Sequence, residues 1–260
     1  MSTDTPVQPQ TQTQPTRRVL LVGGTSEIGL AILRRLAADG PIRPYLLGRD
    51  RERLDTALAA LPAPGFEPGE VGLLDADDLD AHESAIATAF ERGGAFDVVI
   101  IAVGVLGAQQ GLDADREEAL RVMRVNFVGC GSLVLASMRS LRSAGGGTLV
   151  VLSSVGAERP RSENPVYGAA KAGLDSLSQA LADAARGDVR VLVVRPGHVH
   201  TRMTAGLPSA PFATTAEAVA EATAAGLASG AHTVWVPSTL RYVFSALRHV
   251  PRPIYRRLPL

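Results

Sequence analysis

The stretch Val19-Leu-Leu-Val-Gly-Gly-Thr-Ser-Glu-Ile-Gly29 decides the fold of this 260-residue chain. A short, uninterrupted apolar run stops at two glycines, and apolar residues then recur at Ala31, Ile32 and Leu36 with the spacing of one helix face. A buried strand that turns tightly into a helix is the first unit of a parallel sheet. Such a turn also gathers backbone amides at the positive end of the helix dipole, which favours the binding of phosphate groups.

The same alternation continues along the chain. Further apolar strands are predicted at 44–47, 71–74, 97–102, 148–152, 189–194 and 233–236. Helices are predicted between them at about 51–61, 78–91, 114–142, 165–186 and 216–227. Continuous apolar strands separated by helices indicate a parallel sheet covered on both faces. The sequence therefore predicts one doubly wound α/β domain of Rossmann type, without an internal repeat or an interdomain linker.

Charge and composition exclude several functional classes. Lys+Arg and Asp+Glu both total 26, so no net field favours nucleic acid. Cys130 is the only cysteine, which excludes an internal disulfide and fits a reducing compartment. No apolar run approaches the ~18 residues of a membrane span, and no signal-peptide pattern precedes the first strand. We expect a cytoplasmic protein with no bound metal.

The two ends of the chain differ from its centre. Residues 1–16 are rich in Gln, Thr and Pro and predict a disordered leader, so the predicted domain covers 17–237. The remaining tail, 238–260, contains no acid and carries five arginines among apolar residues. Two interpretations stay open. The tail either lies on the anionic inner face of the plasma membrane, as a peripheral contact, or completes the core with its arginines pointing outward.

Catalytic chemistry is suggested first by Lys171, the only lysine among 26 basic residues, which lies four residues after Tyr167. Residues i and i+4 of a helix share a face, and an ammonium beside a phenol stabilises the phenolate. The planar fork of arginine cannot replace this compact charge. Ser154, at the end of a predicted strand, either forms a turn or bonds a substrate carbonyl. Asn126, in the predicted long helix, either bonds nearby backbone or belongs to a proton path.

The predicted nucleotide site begins at the glycine turn and extends to the ends of the next two strands. Arg49 follows the second strand, where an acid would bind the ribose 2′-hydroxyl of NAD and an arginine suits the 2′-phosphate of NADP. This favours NADPH, while the neighbouring Asp50 leaves NADH open. Asp75, after the third strand, either contacts adenine or is an ordinary loop acid.

Together these motifs resemble the short-chain dehydrogenase/reductase superfamily over about residues 17–237. They are Gly23-x5-Gly29, Asn126, Ser154, Tyr167-x3-Lys171 and Pro196-Gly-x-Val199-x-Thr201. The resemblance implies a catalytic tetrad of Asn126, Ser154, Tyr167 and Lys171. It also implies cofactor contacts from Gly23, Thr25, Ser26, Glu27, Ile28, Gly29, Arg49, Asp75, Ala102, Gly104, Lys171, Pro196, Val199 and Thr201.

The chain departs from that family pattern at two places. Glu27 stands where a middle glycine is often found. Ile101-Ala-Val-Gly104 replaces the family's Asn-Asn-Ala-Gly, so the usual asparagine contact to the strand framework is lost. Neither change touches the groups expected to transfer a proton.

A narrower resemblance is to the decaprenylphosphoryl-2-keto-erythro-pentose reductases of bacterial cell-wall arabinan synthesis. It is carried by residues 23–32, by the pattern from Ser153 to Asp175, by residues 195–203 and by the arginines and prolines of the tail. Ser162 stands where that family has a second arginine after Arg161. The resemblance implies a lipid-linked keto-sugar substrate, a flavoprotein oxidase as the partner of the preceding step, and a homo-oligomer.

Two other functions stay open from the sequence. One is a short-chain reductase that acts on another ketone or on an acyl substrate. The other is a nucleotide-sensing protein without turnover, and the intact pair of Tyr167 and Lys171 argues against it, since a sensor has no need of a proton donor.

Overall fold

Seven strands form one parallel sheet in the computed structural model, which describes residues 15–62, 64–107, 110–208, 210–255 and 257. The predicted leader lies outside these residues, except for Pro15 and Thr16. The strand order is β3-β2-β1-β4-β5-β6-β7. The strands are β1 (Arg17–Val22), β2 (Ile42–Gly48), β3 (Glu70–Leu73), β4 (Val98–Ile101), β5 (Thr148–Leu152), β6 (Arg190–Pro196) and β7 (Thr233–Val236). The order reverses between β1 and β4, and ligands bind at such a point in doubly wound sheets.

Helices cover both faces of the sheet. They are α1 (Glu27–Ala37), α2 (Arg51–Ala59), α3 (His82–Gly93), α4 (Arg116–Met123), α5 (Cys130–Ser143), α6 (Pro165–Ala184), α7 (Ala216–Ser229), α8 (Leu240–His249) and α9 (Arg252–Tyr255). Side chains of α1, α2 and α7 pack on one face and those of α3, α5 and α6 on the other. The central strands therefore bury both of their faces, which explains their continuous apolar sequence. The doubly wound α/β prediction is confirmed.

The predicted helix at 114–142 is one continuous helical segment, Arg116–Ser143, with a π-helical turn at Arg124–Gly129. Gly129 lets this turn lie close to the backbone of Ala76, because a Cβ atom at this position would lie 2.0 Å from the carbonyl oxygen of Ala76. The segment is long and apolar enough to cross a membrane by composition alone. However, half of its most apolar window is buried inside the fold, as expected for a core helix.

The described part of the tail is packed against the domain. Leu240 and Phe244 of α8 are buried and join a small apolar cluster with Val155. Arg159 donates hydrogen bonds to the carbonyl oxygens of Leu247, Arg248 and Val250 at 2.7, 3.1 and 2.8 Å. Leu247 and Arg248 lie in the last turn of α8 and Val250 is its C-cap, so the guanidinium donates to carbonyl groups at the end of the helix. Residues Leu240–His249 thus complete the core, and contact with a membrane stays a prediction.

Candidate active site

Loops after β1, β4, β5 and β6 meet at the carboxyl edge of the sheet and surround a cleft. Three of the four predicted tetrad residues line it. Of the predicted cofactor and catalytic residues, the cleft is lined by Ser26, Ile28, Ala102, Gly104, Ser154, Tyr167, Lys171, Pro196, Val199 and Thr201. Gly23, Thr25, Glu27 and Gly29 belong to the adjoining β1–α1 turn and the start of α1, while Arg49 and Asp75 lie farther along the same edge.

Lys171 lies at the bottom of the cleft, with 3% of its surface exposed. Its Nζ donates to the carbonyl oxygen of Leu152 at 2.9 Å and lies 3.5 Å from the carbonyl oxygen of Val103. The ammonium thus joins the ends of β5 and β4. A buried charge needs partners of this kind, because burial without hydrogen bonds is costly.

Tyr167 also lines the cleft and lies in the first turn of α6. The helix begins at Pro165, and the side chain of Asn164 accepts a hydrogen bond from the Tyr167 amide at 3.4 Å. Tyr167 and Lys171 then share one face of α6. Among the described residues, no group forms a hydrogen bond with the Tyr167 hydroxyl. That hydroxyl is therefore available to a ligand in the cleft.

Ser154 follows β5 and lines the cleft beside Tyr167. Its Oγ accepts a hydrogen bond from the Gly156 amide at 3.1 Å, so the serine does form a turn. Both interpretations of Ser154 are compatible, since the hydroxyl proton can still be donated to a carbonyl oxygen while the lone pair accepts from the backbone.

Asn126 is fully buried in the π-helical turn and does not line the cleft. Its Oδ1 accepts from the Val105 amide at 2.9 Å, and its Nδ2 donates to the Val105 carbonyl at 2.7 Å. Of the two alternatives for this residue, the structure supports the bond to neighbouring backbone. By holding Val105, Asn126 fixes the loop that carries Ala102 and Gly104. A role in proton supply stays a prediction.

The β1–α1 turn has the geometry of a phosphate site. Gly23 has φ +90°, and a Cβ atom there would lie 2.7 Å from the carbonyl oxygen of Ala102. Ser26 caps α1 by accepting from the Gly29 amide at 3.2 Å. The close approach of two strand ends and the capped helix start are the features that bind a dinucleotide pyrophosphate.

Glu27 forms an interaction that the sequence did not predict. Its carboxylate accepts from the Arg202 amide at 2.7 Å, and the Arg202 guanidinium donates to the Thr25 carbonyl at 3.0 Å. Arg202 begins a short 3-10 turn after β6, next to Thr201 of the Pro-Gly-x-Val-x-Thr motif. The residue that replaces the family's middle glycine therefore ties the β1–α1 turn to the opposite wall of the cleft.

The ends of β2 and β3 carry the residues predicted to choose the cofactor. Arg49 is exposed, whereas the carboxylate of Asp50 caps α2 by accepting from the Arg53 amide at 3.1 Å. Asp50, the acid that kept NADH open as an alternative, therefore acts as the cap of α2. The Asp75 side chain accepts from the Asp77 amide at 3.0 Å, and His82 Nε2 lies 3.1 Å from the Asp75 carbonyl oxygen.

A buried ionic network lies behind the cleft. Arg195, at the end of β6, donates to both carboxylate oxygens of Asp175 at 2.9 and 2.6 Å and to Glu158 at 2.5 Å. Ser153 donates to the same Asp175 carboxylate at 2.6 Å. A buried charge pair of this kind is held by its full set of hydrogen bonds. These residues belong to the sequence pattern that resembles the keto-pentose reductases. In the structure, their bonds to one another support the walls of the cleft.

His198 lines the cleft, although it stands at an unspecified position of the Pro196-Gly-x-Val199 motif. Its ring lies 5.4 Å from that of His200, centroid to centroid. Burial, the neighbouring His200 and the Arg161 guanidinium lower the pKa of His198, in that order. The imidazole is therefore neutral near pH 7 and offers one donor and one acceptor.

Comparison with known proteins identifies the family of this chain. Residues 17–211 match the family described as short chain dehydrogenase. The chain belongs to the short-chain dehydrogenase family. An oxidoreductase of Mycobacterium tuberculosis, named as uncharacterized, is 42% identical over 242 residues, which cover 93% of this chain and 96% of the relative. A similarly named oxidoreductase of Streptomyces coelicolor is 41% identical over 253 residues, covering 96% and 99%.

Solved structures of the short-chain dehydrogenase family have the same fold. An actinorhodin polyketide ketoreductase variant with NADPH is 25% identical, with a TM-score of 0.74 over 86% of this chain and 97% of the other. The predictions of an oxidoreductase and of membership in the superfamily are confirmed.

Proposed function

We propose that this short-chain dehydrogenase reduces a ketone with NADPH. One observation carries the proposal: Ser154, Tyr167 and Lys171 converge on a single cleft beside the glycine turn. In that arrangement Ser154 donates a hydrogen bond to the carbonyl oxygen and Tyr167 protonates it. Lys171 lies one turn farther along α6, so its positive charge is on the same helix face as the phenol that donates the proton.

NADPH fits the residues at the edge of the sheet. The Gly23–Gly29 turn and the start of α1 would hold the pyrophosphate, and the exposed Arg49 would hold the 2′-phosphate. Thr201 and Lys171 would contact the nicotinamide half, and Asp75 the adenine. When bound, NADPH supplies the hydride. The complex of the actinorhodin ketoreductase with NADPH supports this choice over NADH.

For the substrate, we propose a 2-keto-pentose carried on a polyprenyl phosphate, reduced to the arabinose form for cell-wall arabinan. The sequence pattern shared with that reductase class supports this, since its residues surround the cleft. A 2-keto sugar arises by oxidation of a hydroxyl, so a flavoprotein oxidase is the expected partner of the preceding step. A homo-oligomer in the cytoplasm, with contact to the inner face of the plasma membrane, completes the proposal.

A second candidate is reduction of a ketoacyl chain. The polyketide ketoreductase among the structural neighbours favours it. The two candidates differ in the group that lies next to the carbonyl, a sugar ring in one and a thioester-linked chain in the other.

The test is oxidation of NADPH, followed by absorbance, with membrane lipid extract in which polyprenyl-phosphoribose has first been oxidised. The extract without oxidation is the control, and a β-ketoacyl thioester is the competing substrate. Consumption of NADPH that requires both the oxidised lipid and Tyr167 supports the keto-sugar proposal. Consumption with the thioester alone would replace it by the ketoacyl one.

A further inference from the structure

The cleft carries positive charge without a compensating acid. Among the described residues that line it there is no aspartate or glutamate, while Lys171 and Arg161 both face it. Lys171 is already bonded to strand carbonyls. The remaining cation is the Arg161 guanidinium, in the loop between β5 and α6.

Arg161 differs from the other arginines near the cleft. Arg159 donates hydrogen bonds to backbone carbonyls, and Arg195 donates to two carboxylates. Arg161 is half-buried and forms no hydrogen bond or ion pair with any described residue. The nearby Glu163 carboxylate accepts a hydrogen bond from Ser162 Oγ at 2.7 Å, which is the largest cause of its lowered pKa, and the charge of Arg161 contributes less to that lowering. A half-buried guanidinium without a fixed partner is suited to bind an anion from solution.

The loop that carries Arg161 is held in place on both sides. Glu158 is bonded to Arg195, and Arg159 is bonded to the end of α8. On the other side, the Gly111 amide donates to the Glu163 carbonyl at 3.1 Å. Because these contacts fix the backbone around Arg161 before any ligand arrives, only the arginine side chain has to be ordered on binding, which lowers the entropy cost.

The residues near Arg161 indicate which other groups the ligand carries. The neutral His198 ring can bond a hydroxyl or carbonyl group of the substrate. Met203 and Leu207 line the outer part of the cleft and are 46% and 38% exposed. A ligand that fits this wall carries an apolar substituent beyond its charged group.

We infer that Arg161 is the specificity-determining residue of the cleft, and that the carbonyl substrate carries an oxyanion, a phosphate ester or a carboxylate, close to its ketone. This rests on the proposed function, because it takes the cleft at Tyr167 as the carbonyl site. The nucleotide phosphates are a separate anion, since they belong to the β1–α1 turn, whereas Arg161 follows β5 beside Tyr167.

The test uses two pairs of ketones, each with one anionic and one neutral member: dihydroxyacetone phosphate with dihydroxyacetone, and acetoacetate with its methyl ester. Binding of each compound to the full-length protein saturated with NADP⁺ is measured by calorimetry. Wild type should bind one anion about tenfold or more tightly than its neutral partner, the effect of a charge-assisted hydrogen bond. The pair that shows the preference identifies the oxyanion as phosphate or carboxylate.

Arg161→Gln should reduce that preference to about twofold or less. Arg142→Gln removes the same charge from an exposed site in α5 and should keep the wild-type preference. Absence of an anion preference in wild type, or an equal preference in Arg161→Gln, would overturn the inference. So would an equally large loss of NADP⁺ affinity in Arg161→Gln, because the arginine would then belong to the cofactor site.

Turnover of the same four compounds separates this inference from the proposed function. If the anion binds through Arg161 but neither these ketones nor the oxidised lipid extract is reduced, the reductase proposal fails and the anion site stands. If neutral and anionic ketones are reduced alike, with and without Arg161, the anion site fails and the reductase stands.

Discussion

Arg202 and Glu27 are 175 residues apart in the chain, yet the backbone amide of one donates to the carboxylate of the other at 2.7 Å. The contact joins two walls of the cleft, the β1–α1 turn and the segment after β6. Thr201 and Met203 on either side of Arg202 line the cleft themselves. The pair therefore sets the distance between the walls that would enclose a dinucleotide.

Loss of this contact should weaken the hold on the cofactor. We expect Glu27→Ala to lower the affinity for NADPH several-fold, since a hydrogen bond to a charged group contributes about 1.5–3 kcal/mol and this one is partly exposed. Titration of NADPH by fluorescence gives the dissociation constant. Glu27→Gln keeps an acceptor for the Arg202 amide and should retain more affinity than Glu27→Ala. Equal affinities for wild type and Glu27→Ala would show that the walls are held by other contacts.

Removal of the proton donor should abolish most turnover. Tyr167→Phe keeps the ring and loses the hydroxyl, so we expect kcat to fall by about 10²–10⁴-fold, the range for a missing general acid. NADPH binding, measured by the same titration, should persist. Lys171→Arg should also lose activity, because a planar guanidinium replaces a compact ammonium in a buried site. Near-normal turnover in Tyr167→Phe would reject the tetrad.

Cofactor preference depends on Arg49. If its guanidinium binds the 2′-phosphate, Arg49→Ala should weaken NADPH binding by roughly 10- to 100-fold, as expected for a charge-assisted bond. NADH binding should change little, and it serves as the internal control. An equal loss for both cofactors, or a wild-type preference for NADH, would show that Arg49 is only a solvated surface residue.

Two roles of the tail can be separated by experiment: packing against the domain and binding to a membrane. Arg159→Ala removes three hydrogen bonds to the end of α8 and the contact of the guanidinium with the Tyr255 ring, whose centroid lies 4.0 Å from Cζ. We expect the free energy of unfolding to fall by about 2–4 kcal/mol, more than one lost bond and less than three added together. Arg142→Ala is the matched control in chemical denaturation.

The membrane role is measured on the same protein with vesicles. If exposed arginines bind lipid, sedimentation with vesicles should require anionic lipid and weaken with salt, since exposed charges are screened beyond ~8 Å at physiological ionic strength. No sedimentation, together with a large loss of stability in Arg159→Ala, would leave the tail with its packing role only.

His198 predicts a dependence of stability on pH. Its pKa is lowered in the folded protein, so the unfolded chain binds the proton more readily. Stability linked to this residue is therefore fully present above the unfolded pKa of about 6.5 and is lost as pH falls through the lower folded pKa. Denaturation at pH 7 and pH 5 should show a smaller difference for His198→Gln than for wild type. An equal difference would mean that other groups carry the pH dependence.

The sheet could be predicted from the sequence because its strands are buried on both faces. Val19 to Val22 and Thr148 to Leu152 have no inward-outward alternation, and their apolar runs mark the strands directly. Helix ends were predicted within a few residues where a cap exists, as with Pro165 after Asn164. The π-helical turn was not predicted, because it depends on a close approach to Ala76 that lies far away in the chain.

The site was predicted in part for the same reason. Tyr167 and Lys171 lie four residues apart on one helix, so local spacing revealed their shared face. The bond between Glu27 and Arg202, and the bonds from Arg159 to α8, join residues distant in sequence and need the folded chain to become visible. His198 was missed because a histidine between two motif positions has no local pattern that distinguishes a cleft residue from a surface one.

The bonds from Arg159 to the end of α8 have a consequence for the synthesis of the protein on the ribosome. The loop that contains Arg161 emerges early, when the sheet still lacks β6 and β7. Its three carbonyl partners, up to Val250, are translated about ninety residues later. During that interval Arg159 has no partner at the end of α8, and the loop is free to take other conformations. A nascent chain that has already formed β1 to β5 therefore contains the glycine turn, but it still lacks Thr201 and the contacts that hold the Arg161 loop.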